Sequence, residues 1–183
     1  MTRSRSLSWT LPFLIGLAGC GSATEQRGGN DRVTAVFENG FTGPIIDRTG
    51  KTIGTVDGKP SNQGLIVAFE VSGLSPGQHG IHLHAVGRCD SPSFASSGLH
   101  WNASRHEHGT DNPKGPHDGD WDNFDVGSNG RGGNDRLIPR WHGKIPETGL
   151  SMIIHASKDD ETTQPEGNSG ERVACAVIIP PVQ

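Results

Sequence analysis

The sequence predicts an all-β domain, an antiparallel sandwich or barrel of about eight short strands. Glycine and proline are abundant, with 27 and 12 residues, and only 31% of the chain is hydrophobic. This composition is typical of short strands joined by turn-rich connections. The apolar residues occur in short runs bounded by glycine, aspartate and proline, which is the usual sequence signal of such strands.

The predicted strands follow the order of these apolar runs. The first is Arg32–Phe37, and turns rich in glycine and aspartate separate it from the second at Thr52–Val56. Gly64–Val71 is the third, and a strand carrying His82 and His84 is the fourth. Later runs predict strands at Trp121–Val126, near Arg136–Ile138, at Ser151–His155 and at Arg172–Ile179.

Two long polar stretches break the strand pattern. Residues 87–120 are rich in Gly, Ser, Asn, Asp and His without sustained periodicity, and Ser157 to Glu171 form a second such stretch. A loop as long as the first needs something to order it inside a compact domain. A disulfide at its start and a metal within it would do so.

The N-terminal residues are typical of an export signal. Arg3 and Arg5 precede the short apolar run Leu11–Ala18. Leu17-Ala18-Gly19-Cys20 resembles the lipobox of bacterial lipoproteins, in which the cysteine is lipidated and becomes the first mature residue. The alternative is an ordinary secretory signal with an incidental cysteine.

These features divide the chain into three parts. We predict a lipoprotein-type signal peptide at residues 1–19, a flexible tether at 20–31 behind a lipidated Cys20, and one domain at 32–183. Both alternatives for the leader place the domain outside the cytosol. Lipidation predicts a lipid-anchored protein of the bacterial cell envelope, in the periplasm.

The charge of the chain argues against nucleic acid as a partner. The formal net charge is -4 at pH 7, and basic residues form no cluster of the kind that binds phosphates. No apolar run reaches the roughly 18 residues of a membrane-spanning helix. The predicted membrane contact is therefore the lipid on Cys20.

The chain contains three cysteines. If Cys20 is lipidated, Cys89 and Cys175 remain as one pair in a compartment that permits disulfides. A bond between them would close a large loop and stabilise the fold by roughly 4 kcal/mol in the chain-entropy model. The alternative is a pair of free thiols that bind a metal.

Histidines dominate the candidate site residues. Side chains alternate along a strand, so His82 and His84 share one face while Ile81 and Leu83 point toward the core. Alone, this pattern fits half of a transition-metal site as well as two surface histidines on an edge strand. More candidate ligands follow at His100, His106, His108, His117, Asp120 and His155. Imidazoles suit copper and zinc, whereas calcium and magnesium prefer oxygen ligands.

This ordered set resembles the site pattern of bacterial copper–zinc superoxide dismutases. After His82-x-His84 and His100 come a histidine eight positions later, His117-x-x-Asp120, His155 and Arg172-x-x-Cys175, all in the family order. The match extends over about residues 32–179. It implies the family fold, an eight-stranded antiparallel Greek-key sandwich or barrel of immunoglobulin-like type with two long functional loops, and a disulfide between Cys89 and Cys175.

The resemblance also implies a role for each site residue. His100 would bridge two metals as an imidazolate. Asp159 would hold one histidine of each metal, His82 and His108, and Arg172 would guide an anion to copper. The implied copper ligands are His82, His84, His100 and His155, and the implied zinc ligands are His100, His108, His117 and Asp120.

The implied function is superoxide dismutation with copper and zinc as cofactors. Superoxide would be disproportionated to dioxygen and hydrogen peroxide, protecting the cell envelope, with His100 and Arg172 as the catalytic residues. The alternative is a non-enzymatic copper- or zinc-binding lipoprotein of the same fold. Members of the family occur as dimers and as monomers, so either a homodimer or a monomer is expected.

Three histidines remain outside this pattern. His106 lies two residues before His108 and could compete with it for zinc. His79 and His142 are expected to be hydrogen-bonded or surface imidazoles. The loop that ends at Arg172 carries more acidic than basic residues, so anion guidance would depend on this arginine and the metals.

Overall fold

The computed structural model describes residues 28–139 and 145–182, and it confirms the predicted β fold. One helix precedes eight antiparallel strands that close into a barrel, and a short 3₁₀ turn, Ala95–Ser97, lies in the first long loop. The elements are α1 (Gly28–Asn39), β1 (Phe41–Asp47), β2 (Thr52–Pro60), β3 (Gly64–Ser72), β4 (Gly77–His84), β5 (Asp120–Val126), β6 (Arg131–Pro139), β7 (Leu150–His155) and β8 (Arg172–Ile179).

The strands follow the order β1-β2-β3-β6-β5-β4-β7-β8 around the barrel, and pairing of β8 with β1 closes it. β3 and β4 are consecutive in the chain but lie apart in the barrel, with β6 and β5 between them, which makes the connection a Greek key. β4 pairs with β5 on one side and with β7 on the other. The strand that carries His82 and His84 is therefore not an edge strand.

Alternating apolar side chains fill the interior of the barrel. On β3, Leu65 and Val67 are buried, whereas Ile66 between them is 38% exposed. Phe69 of the same strand packs edge-on against Phe124 of β5, with ring centroids 5.0 Å apart. One continuous core therefore supports every strand that contributes to the site.

The predicted strand Arg32–Phe37 is wrong, because this segment lies in helix α1. Val33, Val36 and Phe37 follow helical i, i+3, i+4 spacing, and all three pack against the core of the barrel. The helix is followed by Gly40, whose φ of 74° is the left-handed conformation common just past a helix end, and whose N–H donates to the Val36 carbonyl. Short apolar runs are ambiguous between helix and strand, and here the helical spacing decides.

Strand β1 is absent from the predicted set because Gly43 and Pro44 interrupt its apolar residues. Helix α1 begins at Gly28, inside the segment predicted as a tether. Cys20, the predicted signal peptide and His142 lie outside the described residues. No helix in the described part of the chain is long and apolar enough to cross a membrane.

A disulfide joins Cys89 and Cys175, as predicted, with 5.7 Å between their Cα atoms. Cys175 lies in β8, and Cys89 lies near the start of the first long loop. The bond packs against buried Phe94 and Ile153 in a small apolar cluster beside the main core. It therefore ties the first loop to the barrel at a distance of 86 residues along the chain.

Replacing both Cys89 and Cys175 by serine is expected to lower the free energy of unfolding of the metal-free protein by about 2–5 kcal/mol, because the unfolded chain regains the freedom that the cross-link removes. Denaturant unfolding under oxidising conditions measures this. Reduction of the wild-type bond is the matched control and should bring the wild-type midpoint to that of the variant. Equal midpoints for the oxidised wild type and the variant would contradict the expectation.

Candidate metal centre

β4 presents two histidines on the outer face of the barrel and apolar residues on the inner face. Ile81 and Leu83 are buried in the core, while His82 and His84 point the other way and are fully buried as well. The outer face is buried because the second long loop covers it. An added Cβ at Gly80 would lie 3.0 Å from the Ser169 side chain, so glycine permits this close approach of the loop.

Four histidines form the first ligand group. One nitrogen each of His82, His84, His100 and His155 lie within 4.8 Å of one another, and all four residues are buried. His100 reaches the group through an isolated β-bridge to His84, and His155 ends the neighbouring strand β7. The barrel therefore supplies three of these side chains and the first loop supplies the fourth.

The second ligand group contains three histidines and one carboxylate. It consists of His100, His108, His117 and Asp120, again buried and with one ligand atom each within 4.8 Å of one another. Asp120 is the first residue of β5 and pairs with His82 of β4, which fixes the second group beside the first. His100 is common to the two groups.

The unpartnered ring nitrogens test whether these residues fit metal ions. Among the described residues, buried nitrogens without a hydrogen bond include Nδ1 of His82 and Nε2 of His84, His100 and His155 in the first group. In the second group they are Nδ1 of His108 and of His117. Buried polar atoms are seldom left unpaired, so their convergence fits two metal ions.

The distances within the second group support the same conclusion. Nδ1 of His108 lies 3.0 Å from Oδ2 of Asp120, and Nδ1 of His117 lies 3.3 Å from Oδ1, yet neither approach has hydrogen-bond geometry. Atoms that face a common ion come close without pointing at one another. The other nitrogen of His100, Nδ1, lies 2.9 Å from Oδ1 of Asp120, so the two nitrogens of this ring face different groups.

The opposite ring nitrogens of the first group are held by the protein. Nδ1 of His84 donates to the Gly98 carbonyl at 2.9 Å, and Nδ1 of His155 donates to the Gly170 carbonyl at 3.2 Å. These hydrogen bonds select the tautomer that leaves Nε2 free to bind a metal. The two long loops thus orient the histidines that the strands supply.

Asp159 joins the two groups. Its Oδ2 accepts from Nε2 of His82 at 2.5 Å, and its Oδ1 accepts from Nε2 of His108 at 3.1 Å. Burial acts to raise the pKa of Asp159, but the hydrogen bonds from His108 and His82 outweigh it and hold this pKa below its ordinary value. The residue is therefore a buried carboxylate that accepts from one histidine of each group.

Two amide side chains hold the backbones of Asp159 and His108 in place, and no sequence pattern predicted either of them. Asn123 on β5 accepts from the Asp159 N–H at 2.6 Å and donates to the Asp159 carbonyl at 2.9 Å. Gln164 pairs with the backbone of His108 in the same way, at 2.7 and 2.9 Å. Both side chains act by hydrogen-bonding the backbone of a loop residue. The spacing of residues in the sequence does not show where that backbone lies.

Burial sets the protonation state of the first group. It lowers the pKa of His82 to about 4 and that of His155 to about 3, and it lowers the pKa of His84 well below its ordinary value. These imidazoles are neutral at neutral pH, which is the form that binds a metal. Metal binding there displaces no proton from these three rings.

The second group behaves differently because of its carboxylates. Burial alone would lower the pKa of His108, but the Asp120 carboxylate 3.0 Å from its Nδ1 and the hydrogen bond to Asp159 raise it above its ordinary value. Burial likewise opposes ionisation of Asp120, yet the hydrogen bond from His100 and the close rings of His108 and His117 bring the pKa of this carboxyl below its ordinary range. In the metal-free protein His108 carries a proton, and a cation in this group would replace it.

Arg172 begins β8 and pairs with His155 of β7, which places its side chain beside the first group. Its Nη1 donates to the Phe94 carbonyl at 3.1 Å and to Oγ of Ser97 at 3.0 Å. Its Nη2 lies 3.5 Å from Oε1 of Glu166. The guanidinium is held between the two long loops.

The remaining histidines in the described residues take no part in either group. His79 is buried among backbone carbonyls, with Nδ1 2.6 Å from the His155 oxygen and Nε2 2.9 Å from the Ser75 oxygen, as expected for a hydrogen-bonded imidazole. His106 is exposed, and its Nδ1 lies 3.1 Å from the Pro116 carbonyl. The geometry therefore brings His108, not His106, to the second group.

Comparisons with known proteins agree with this geometry. A family model described as copper/zinc superoxide dismutase matches residues 52–178. The chain is similar to Cu-Zn superoxide dismutase 1 of Aquifex aeolicus, 33% identical over 142 residues, which cover 73% of this chain and 84% of the relative. It is also similar to the superoxide dismutase-like protein YojM of Bacillus subtilis, 33% identical over 178 residues, which cover 90% of this chain and 91% of the relative.

Solved structures show the same fold. A superoxide dismutase-like protein from Bacillus subtilis has a TM-score of 0.69 at 33% identity, covering 75% of this chain and 97% of its own. The Cu/Zn superoxide dismutase from Brucella abortus has a TM-score of 0.62 at 25% identity, covering 76% of this chain and 99% of its own. The matches span nearly the whole of each solved chain.

Asp159→Asn is expected to weaken zinc binding by about 10–100-fold, because an amide cannot accept from both His82 and His108 as the carboxylate does. Competition with a colorimetric zinc chelator measures this change. Asp125→Asn removes the same charge from an exposed position of β5 and is the matched control. An unchanged zinc affinity in Asp159→Asn would show that the carboxylate does not organise the second group.

Proposed function

Because the chain belongs to the copper/zinc superoxide dismutase family, we propose that it disproportionates superoxide to dioxygen and hydrogen peroxide at a copper ion that His100 joins to a structural zinc ion. The observation that carries the proposal is the pair of buried ligand groups that share His100, each with converging nitrogens that lack a partner. The reaction consumes two superoxide anions and two protons.

His82, His84, His100 and His155 are the proposed copper ligands. Copper bound there would supply the one-electron redox chemistry, accepting an electron from one superoxide and giving it to the next. The four nitrogens come from the barrel and from a disulfide-tied loop, both of which would help to hold them in place around the ion. His100 can hold a proton on Nε2 and release it, which supplies one of the two protons of the peroxide.

His100, His108, His117 and Asp120 are the proposed zinc ligands. Three nitrogens and one carboxylate oxygen are a usual tetrahedral set for zinc, and a closed set of four suits a structural role. Asp120 also accepts from the N–H groups of Gly109 and His117, each at 2.9 Å. Zinc in this group would therefore order the first loop and fix the ring of His100.

Arg172 is the proposed anion guide. Its side chain is only 16% exposed and is fixed by two acceptors of the first loop, so its charge stays beside the first group. A guanidinium offers several donors in a rigid plane and suits a small anion. This residue would bind and orient superoxide before electron transfer.

The proposed setting is the bacterial cell envelope. The export signal and the lipobox-like Leu17-Ala18-Gly19-Cys20 support a periplasmic, lipid-anchored protein that removes superoxide there. Metabolic labelling with a palmitate analogue would test the anchor, with Cys20→Ser as the control. Equal labelling of the two proteins would contradict lipidation of Cys20.

The dismutase function is tested on the purified protein by measuring metal content and superoxide removal together. We expect one copper and one zinc per chain, with a turnover that a copper chelator abolishes and added copper restores. Stoichiometric metal without turnover would contradict the enzyme and favour a metal-binding protein of the same fold.

Arg172→Ala is expected to lower the rate of dismutation by roughly 10-fold or more while both metals stay bound, because the anion loses its nearest donor. Pulse radiolysis and metal analysis of the same sample measure the two quantities. Arg131→Ala removes an exposed arginine at the start of β6 and should change neither. Loss of copper from Arg172→Ala would show that the arginine is structural instead.

His117→Ala is expected to release zinc and lower the thermal stability of the metal-loaded protein, because one of four ligands is lost and the first loop loses its order. Copper should remain, since His117 takes no part in the first group. Calorimetry with metal analysis measures both effects, and His106→Ala is the control from the same loop. An unchanged melting temperature with full zinc content would contradict the assignment.

A further inference from the structure

Glu166 places a negative charge against the arginine that faces the first ligand group. Its Oε1 lies 3.5 Å from Nη2 of Arg172, and the two side chains are 35% and 16% exposed. We propose that Glu166 competes with incoming anions for Nη2 of Arg172 and thereby limits anion access to the copper site. This proposal rests on the proposed function and adds a residue that determines its rate.

Of the two terminal nitrogens of Arg172, Nη2 is the one that an anion can use. Nη1 is already engaged by the Phe94 carbonyl and by Oγ of Ser97. Within residues 28–139 and 145–182, the hydrogen bonds of Arg172 leave Glu166 as the partner of Nη2. An anion that approaches this nitrogen therefore meets a carboxylate that occupies the same donor.

The other acidic residues of the second loop have partners elsewhere. Asp159 accepts from His82 and His108, and Glu171 pairs with Arg48 at 2.6 Å. Asp160 accepts from Thr162 and Thr163, and Glu161 accepts from Thr110 and Asn123. Glu166 is the acidic side chain of the described loop whose contact is with the guiding arginine.

The backbone around Glu166 is held in place. The Glu166 carbonyl accepts from Oγ of Ser169 at 3.0 Å. The next residue, Gly167, has a φ of 66°, and an added Cβ there would collide with the Asp159 carboxylate. The turn therefore packs closely against Asp159, which joins the two ligand groups. The Glu166 side chain extends from this turn toward Arg172.

The contact has the properties of a gate that an anion can displace. At 3.5 Å the pair is longer than a strong charge-assisted hydrogen bond, and partly exposed ion pairs contribute little to stability. An incoming monoanion is repelled by the carboxylate and must separate it from Nη2. Both effects lower anion affinity and weaken as salt screens the charges.

The test uses copper- and zinc-loaded protein and compares Glu166→Gln with Glu171→Gln. Both changes remove one negative charge from the same loop, but only the first removes the charge that faces Arg172. Azide, a small monoanion that binds copper(II), is titrated while the visible absorption of the copper is followed. Glu166→Gln should bind azide about 3–10-fold more tightly at low ionic strength, and Glu171→Gln should change less than about 1.5-fold.

The rate of superoxide removal is a second readout. It should rise by about 2–5-fold in Glu166→Gln at low ionic strength, and the gain should shrink in about 0.5 M salt. Unchanged or weaker azide binding in Glu166→Gln, an equal gain in both variants, or loss of copper from Glu166→Gln would each overturn the proposal. Azide binding needs no turnover, so tighter binding without dismutation would uphold Glu166 as a gate and overturn only the proposed function.

Discussion

The site depends on one buried carboxylate that accepts hydrogen bonds from a histidine of each ligand group. Asp159 contacts His82 of a barrel strand and His108 of the first loop, while its own backbone is held by Asn123. A buried charge of this kind is stable only when all its neighbours are correctly placed. The strand, both loops and the two groups must therefore adopt their positions together.

The fold class was predictable because alternation and turn residues are local signals. β3 follows that pattern, whereas the first strand predicted is part of a helix whose apolar spacing over Val33, Val36 and Phe37 spans one turn. β1 was not predictable, since its glycine and proline resemble a turn and only pairing with β2 and β8 makes it a strand. Closure of the barrel is a long-range property that local patterns do not contain.

The candidate site was predictable to a greater extent than the strands. The two groups contain the residues that the family resemblance indicated, because ligand types and their spacing are written directly in the sequence. Asn123, Gln164 and Glu166 were not found. Asn123 and Gln164 act through partners far away in the chain, and Glu166 contacts Arg172 only because of the path that the second loop takes, so these contacts arise only in three dimensions.

The Cys89–Cys175 bond also concerns the order of events during folding. It joins residues 86 positions apart, and Arg172 enters from the same last strand. Contacts of such long range form late, because much chain entropy is lost before they become favourable. A chain that ends before β8 would contain every histidine of both groups. It would lack the Cys89–Cys175 bond and one of the two strands that pair with β7. The arrangement of the two ligand groups therefore depends on β8 as well, and the histidines alone do not provide it.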